Sequence, residues 1–598
     1  MTSESEAGNA PQMPRPTPTG VLARRFDQMF PVLSSPEIER IRRFGDVRRF
    51  GPGELLCRVG KPSPGMYLVL SGRLAVVSRD ALGRSLPIAD FAQLVGGTLE
   101  EMEILPGEVL AELGALSGKP CALDVQAVEE VEAILVPPDQ LRALLVAEAE
   151  LGERILRALI LRHVAQIESG FGGPVVIGAL RSPEVTKLSS FLGRSATPFR
   201  VVDPDEDPDA SSLVARYAPG DLPIVVMPDG TVLKKPAKQE LAAALGLVAR
   251  VLRSEPYDVA IVGAGPAGLA TAVYGASEGL SILVLDALTF GGQAGASARI
   301  ENYLGFPTGV PGQALMGRAF AQAQKFGAEF SLSTEVKRLD CTSESSGTDP
   351  LLILYLADGR QVRARAVVVA TGARYHRPEI PNLPQFEGRG VSYWASPAEA
   401  RLCRDEDVAL IGGGNAAGQA AVFLSSHARH VRMLVRRPSL SDTMSRYLID
   451  RIAASSNIEV LCETEIVQLL GAPDQGLQQV RWRHRGSGVE EEHAISHLFV
   501  FTGADPVASW LDGCGVTLDE RGFVRTGADV RSTAPLPLPM ETSVEGIFAV
   551  GDVRSGSVKR VGAAIGEGAA VVAQLHSLLA RRGPAAARQR QAEAPPAR

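Results

Sequence analysis

The feature that most constrains this chain is a glycine turn that occurs twice. The stretch YDVAIV runs into Gly263-Ala264-Gly265-Pro266-Ala267-Gly268, then an alanine-rich apolar stretch, then SILVL ending at Asp286. Downstream, VALI runs into Gly412-Gly413-Gly414-Asn415-Ala416-Ala417, a second helical stretch, and VRMLV followed by Arg436 and Arg437. Glycines at this spacing let a strand turn sharply into a helix whose first free N–H groups face a pyrophosphate. Apolar strands on both sides of each turn are what a parallel βαβ unit requires. Two such units commit the second half of the chain to an α/β fold with two dinucleotide sites.

The residues that close the two units differ in charge. Asp286 can accept from ribose hydroxyls, whereas Arg436 and Arg437 suit a dianionic 2′-phosphate through charge-assisted hydrogen bonds. The first turn, with Gly263, Gly265, Pro266, Ala267, Gly268 and Asp286, is therefore expected to hold FAD. The second, with Gly412, Gly414, Asn415, Ala417, Arg436 and Arg437, is expected to hold NADPH. Hydride transfer between two held rings is a matter of placement and needs no acid or base from the protein, so no catalytic side chain is singled out.

At 598 residues the chain has material for about four domains. Its 61 Lys and Arg against 68 Asp and Glu give a net charge of -7, which excludes a general basic field for nucleic acid or an anionic membrane. There is neither an uncharged apolar run of about 18 residues nor a basic-then-apolar start, so a cytoplasmic protein is expected. Cysteines 57, 121, 341, 403, 462 and 514 form no CxxC pair and no metal-ligand cluster, so no metal is expected. Residues 1–20 and 581–598 lack apolar periodicity and are expected to be disordered. From Val47 to Val136 short alternating apolar runs are broken by Gly, Pro and Asp, the pattern of a compact all-β unit, and a pair of amphipathic helices follows. Residues 174–247 read as a small α/β unit.

Four further segments lie in order around the two turns: Gly291-Gly292-Gln293, Ile300-Glu301-Asn302-Tyr303, VVVATGA with Thr371 and Gly372, and GIFAVGD with Gly551 and Asp552. With them, residues 256 to about 578 resemble the low-molecular-weight thioredoxin reductases. The resemblance implies an FAD-binding domain split over 256–374 and 498–580 around an NADPH-binding domain at 375–497. It also implies that Gly292, Gln293, Asn302, Thr371, Gly372, Gly551, Asp552 and Arg560 join the cofactor site, and that the chain forms a homo-oligomer. Arg560-Val561-Gly562 stands where the family usually carries Arg-Gln-Ala, and Val435 and Ser441 stand where it often has further basic residues.

The family's CxxC, which takes electrons from flavin, falls where this chain has Tyr393-Trp394-Ala395-Ser396. Those four side chains cannot perform thiol-disulfide exchange, and the nearby Cys403 is expected to be a small apolar filler. Residues 172–248 resemble a thioredoxin or glutaredoxin fold, in which the proline matching Pro223 is cis, but Arg181-Ser182-Pro183-Glu184 replaces the dithiol. Residues 21–168 resemble a cyclic nucleotide-binding domain. Glu112 matches its ribose-binding glutamate, but Cys121 replaces the phosphate-binding arginine, which argues against a cyclic nucleotide, and Lys119 is read as a solvated turn residue. The fold class expected is thus α/β with two Rossmann-like domains, preceded by an all-β roll with helices and a small thioredoxin-like domain. The function expected is hydride transfer from NADPH to FAD and on to a small-molecule or protein acceptor, with the second nucleotide turn resting near the flavin. Thioredoxin reduction through other thiols, and a redox or ligand sensor with little turnover, are the alternatives.

Overall fold

The computed structural model describes residues 25–77, 102–117, 119–170, 172–180, 182–217, 219–249, 253–341, 350–395, 397–472, 475–530 and 537–582. The expected disordered start and residues 583–598 of the expected tail lie outside these residues, as do Arg181 and Ser396, whereas Arg581 and Arg582, expected to open that tail, end helix Val561–Arg582. The chain divides into two compact units. One holds the residues up to Val175 with Pro198–Arg200 and Val226–Thr231, and the other holds Val176–Thr197, Val201–Val225 and everything from Val232 onward.

The first unit contains two four-stranded antiparallel sheets. One orders Asp46–Phe50, Val131–Val136, Met66–Ser71 and Val109–Leu110; the other orders Leu55–Cys57, Asp124–Ala127, Leu74–Val77 and Met102–Ile104. Alternation along Met66–Ser71 places Tyr67 and Val69 in one apolar cluster with Leu74, Val76 and Val125. Met66 and Leu68 face a second cluster with Leu141, Leu144, Ile155 and Leu159, which come from helices Pro138–Ala147 and Ala149–Ser169. Arg162 is buried there and donates to the carbonyls of Met29, Val109 and Ala111, so the guanidinium is satisfied by backbone.

The small sheet orders Arg200–Val202, Val175–Ile177, Ile224–Val226 and Val232–Lys234. Helix Pro183–Arg194 starts where Ser182 and Pro183 predict it, with Ser182 Oγ accepting from the Val185 N–H at 3.3 Å. The Leu222–Pro223 peptide bond is cis.

The first nucleotide turn sits in a seven-stranded sheet. Strands Glu329–Ser331, Ile282–Leu285, Tyr257–Val262 and Gln361–Val369 run parallel, and Leu352–Leu356 and Val336–Asp340 extend the sheet antiparallel. Strand Ile547–Ala549 returns from far along the sequence to pair in parallel with Gln361–Val369. The second turn sits in a five-stranded parallel sheet ordered Val391–Ser392, His497–Val500, Asp407–Ile411, His430–Val435 and Ile458–Cys462. The chain crosses between these halves at an antiparallel pair, Ala373–Tyr375 against Ala504–Pro506. Because His497–Val500 is hydrogen-bonded to Asp407–Ile411, the return falls a few residues after the expected boundary at 498.

Helix Val561–Arg582 packs across the first nucleotide helix, Pro266–Ser277. Thr271 Oγ1 donates to the Gly568 carbonyl at 3.0 Å, and a Cβ on Gly568 would stand 2.2 Å from the Ala267 oxygen. Among the described residues Val561–Arg582 is long and apolar enough to cross a membrane, with mean hydropathy 1.3. Its Val571, Val572, Leu575 and Leu578 are buried within the protein, as in a core helix. Gly568→Val is expected to cost about 1–3 kcal/mol through forced separation of the two helices. Thermal denaturation should read it as a melting temperature lowered by several degrees.

Candidate functional site

Each nucleotide turn contains glycines at which the backbone leaves no room for a side chain, Gly263 and Gly268 in the first and Gly412 in the second. Gly263 has φ +113°, and a Cβ there would lie 2.2 Å from the Ala370 oxygen; on Gly268 it would lie 1.9 Å from the Gly263 oxygen. Gly265 caps helix Pro266–Ser277 and Gly414 caps helix Asn415–Ser425, leaving the first N–H groups of each free of intrahelical partners. Gly412 has φ +143°, and Ala417 is buried behind it.

A cavity of about 1040 Å³ opens over the first turn. It is lined by Gly263, Gly265, Pro266, Ala267, Asp286, Gly292, Gln293, Asn302, Thr371, Gly372, Gly551, Asp552 and Arg560, all expected from the sequence. Asp286 spends part of its acceptor capacity on its own loop, taking the Ala264 and Leu288 N–H groups at 2.8 Å each. Burial raises its carboxyl, opposed by those two N–H groups and by Arg194. Thr371 Oγ1 donates to the Val507 carbonyl at 2.6 Å, and Gln293 donates to the Ala373 carbonyl, so both hold the cavity floor.

Glu567 organises the Gly551-Asp552 end. Its carboxylate accepts from the Gly551 N–H at 2.6 Å and pairs with Arg554 at 2.5 Å. Burial raises the Asp552 carboxyl, Lys559 lowers it and Glu567 raises it again. Lys559 also donates to the Asp552 carbonyl at 2.5 Å.

The second turn reaches this cavity only through its helix start. Gly412, Gly414, Arg436 and Arg437 do not line it; Asn415, Ala416, Gln419 and Ala420 do, together with Tyr393, Trp394 and Ala395. Arg451 pairs with Glu301, and Arg194 lies 5.4 Å from the Trp394 ring centroid. Arg436 and Arg437 are exposed, and Arg437 faces Asp442 at 3.6 Å.

Three features gave no sequence signal: Glu567, which lies in no motif; Arg194, which comes from another segment; and Trp510, a residue of the cavity lining whose buried indole N–H has no partner. The cysteines also pair unexpectedly. Cys57 shares a hydrogen bond with Cys121, and Cys341 with Cys514, yet none of the four lines the cavity. Burial pushes the Cys403 thiol up to about 11, as befits a packed apolar filler. In the first unit, Glu112 accepts from the Ala122 N–H at 3.1 Å, and burial pushes its carboxyl up to about 7. Lys119 is not the solvated residue expected: burial lowers its ammonium to about 8.

The model of the family described as pyridine nucleotide-disulphide oxidoreductase matches residues 257–568, just over half of the chain. The chain belongs to that family. Within it, the chain is similar to thioredoxin reductases: 33% identical over 324 residues to that of Peptoclostridium litorale, covering 53% of this chain and 95% of the relative. It is 32% identical to the Streptomyces coelicolor enzyme, covering 55% of this chain and 95% of that one. Among solved structures, Lactococcus lactis thioredoxin reductase in its FR conformation matches with 28% identity and a TM-score of 0.49, over 54% of this chain and 99% of that one. Family members of this type use FAD and NADPH. A second model, the cyclic nucleotide-binding domain, matches residues 47–148.

The residues present suit a flavin dinucleotide: a turn into which no Cβ fits, a helix with free N–H groups, and the unpartnered Trp510 N–H at the wall. Glu567→Gln keeps the shape but removes the charge that holds Arg554 and the Gly551 N–H. It is expected to destabilise the fold by about 1–3 kcal/mol, the partly exposed pair giving the lower end. Faster loss of bound FAD on dilution, followed by flavin fluorescence, checks it.

Proposed function

We propose that the chain passes hydride from NADPH to FAD and then delivers electrons to an acceptor other than a protein dithiol. The observation that carries this reading is Trp394 at the cavity wall in the segment where related reductases hold their cysteine pair. Trp394 Nε1 donates to Glu399 at 2.8 Å and Tyr393 donates to Glu387 at 2.6 Å, so both side chains are fixed and neither can form a disulfide. Cys403, the cysteine nearest in sequence, is fully buried.

In this reading Gly263, Gly265 and the start of helix Pro266–Ser277 bind the FAD pyrophosphate, Asp286 takes a ribose hydroxyl, and Asp552 orients the ribityl end. Bound there, the flavin supplies a two-electron acceptor that can also release electrons singly. Gly412, Gly414 and Asn415 bind the NADPH pyrophosphate, and Arg436 and Arg437 take its 2′-phosphate. Since Gly412, Gly414 and the arginine pair do not line the cavity, the half carrying them turns about the paired crossings at 373–375 and 504–506 to deliver its nucleotide. That turn breaks the Arg451–Glu301 pair and withdraws Trp394, opening the cavity to the nicotinamide. Acceptor reduction follows on the same open face, for a quinone-sized molecule or a one-electron protein. In the first unit, Cys121 leaves the cyclic phosphate without its charged partner, which supports a weakened or altered ligand site there.

Anaerobic titration with NADPH is expected to stop at two electrons per FAD. Uptake of four would mean a working dithiol and thioredoxin reduction instead. Replacing Arg436 and Arg437 together by Ala is expected to raise the NADPH KM about ten- to a hundredfold while leaving that for NADH unchanged. Equal rises for both nucleotides would remove the 2′-phosphate from this site.

A further inference from the structure

Arg194 is the last residue of helix Pro183–Arg194 in the small α/β segment, outside both halves that carry the nucleotide turns. It nevertheless lines the same cavity as Gly265, Asp286 and Asp552. Its position is fixed. The Arg194 carbonyl accepts from Gln313 Nε2 at 3.2 Å, and Ser195 Oγ closes the helix end on the Phe191 and Leu192 carbonyls at 3.0 Å each. The guanidinium lies over the Trp394 ring, 5.4 Å from its centroid, and within electrostatic reach of Asp286 and Glu399.

Burial lowers the Arg194 pKa more than the two carboxylates restore it, and the exposed Lys238 adds a like charge nearby. A half-buried cation lining a dinucleotide cavity, with an aromatic face as its near neighbour, is suited to bind an anion. The helix end alone does not explain it, because a C-terminal arginine serving the helix dipole can do so in full contact with water.

We propose that Arg194, supplied by the small α/β segment, is an FAD-binding residue whose guanidinium grips the anionic ADP half of the cofactor. This inference rests on the flavin reading above. It gives the segment, which carries no cysteine, a role as one wall of the flavin site. It also makes Arg194 a positioning residue for Trp394, since one guanidinium serves the cofactor and the ring together.

The test uses the full chain stripped of flavin, with FAD affinity read by fluorescence quenching and by the melting shift FAD induces. Arg194→Gln is expected to bind FAD about ten- to a hundredfold more weakly than wild type, with Arg194→Lys in between. The wild-type affinity is expected to fall more steeply with salt than that of Arg194→Gln, a difference a merely structural residue would not produce. If flavin-free Arg194→Gln melts far below flavin-free wild type, the comparison is made on Arg194→Lys, and wild-type affinity and salt slope in that variant overturn the proposal. Equal affinities in wild type and a well-folded Arg194→Gln overturn it directly while leaving the flavin reading intact. A wild-type chain that takes up no FAD sinks the flavin reading, and this inference with it.

Discussion

Four glycines crowd the first nucleotide turn, two of them against Ala267, and the flavin half is arranged around that point. A Cβ on Gly268 would meet the Gly263 oxygen, one on Gly263 the Ala370 oxygen, one on Gly568 the Ala267 oxygen, and one on Gly551 the Ala267 methyl. The strand end, the nucleotide helix, the ATGA strand end and the C-terminal helix can meet only because these positions carry no side chain. From that vertex follow the placement of Asp286, whose carboxylate takes the Ala264 N–H, and of Asp552, one residue beyond Gly551. Helix N–H groups then face the cavity without competition from side chains.

The Trp394 segment is held from two sides. Strand Val391–Ser392 pairs with His497–Val500, so the backbone leading into it is anchored in the second sheet. Trp394 and Tyr393 each donate to a carboxylate, which fixes both side chains. An ion pair, Arg451 with Glu301, joins the halves, and polar contacts of that kind permit relative rotation at modest cost.

Both turns, the strands that flank them and the late return of residues 547–549 are readable in the sequence, because each depends on local spacing of glycines and apolar runs. The boundary near 498 is misplaced by a few residues, since continued pairing of His497–Val500 is a tertiary matter that propensity does not encode. The orientation of the second half is illegible for a related reason. It hangs on Arg451 with Glu301 and Arg194 with Trp394, partners 150 and 200 residues apart in sequence. Lys119 is half-buried, with its ammonium lowered by burial, which a turn lysine read from sequence alone does not announce. The thiol pairs Cys57 with Cys121 and Cys341 with Cys514 are equally invisible to a count of spacings.

The late return of strand Ile547–Ala549 to a place beside Gln361–Val369 has a consequence for biosynthesis. On the ribosome the antiparallel sheets of the first unit can close as soon as they emerge, and the inserted nucleotide half can close as a continuous stretch. The half that surrounds Ala267 cannot, because its central sheet lacks a strand and its nucleotide helix lacks a cover until the last turns of Val561–Arg582 leave the exit tunnel. The face of Pro266–Ser277 that Val561–Arg582 covers therefore waits on residues made far later in the chain, which makes closure of this half a long-range, late step of folding.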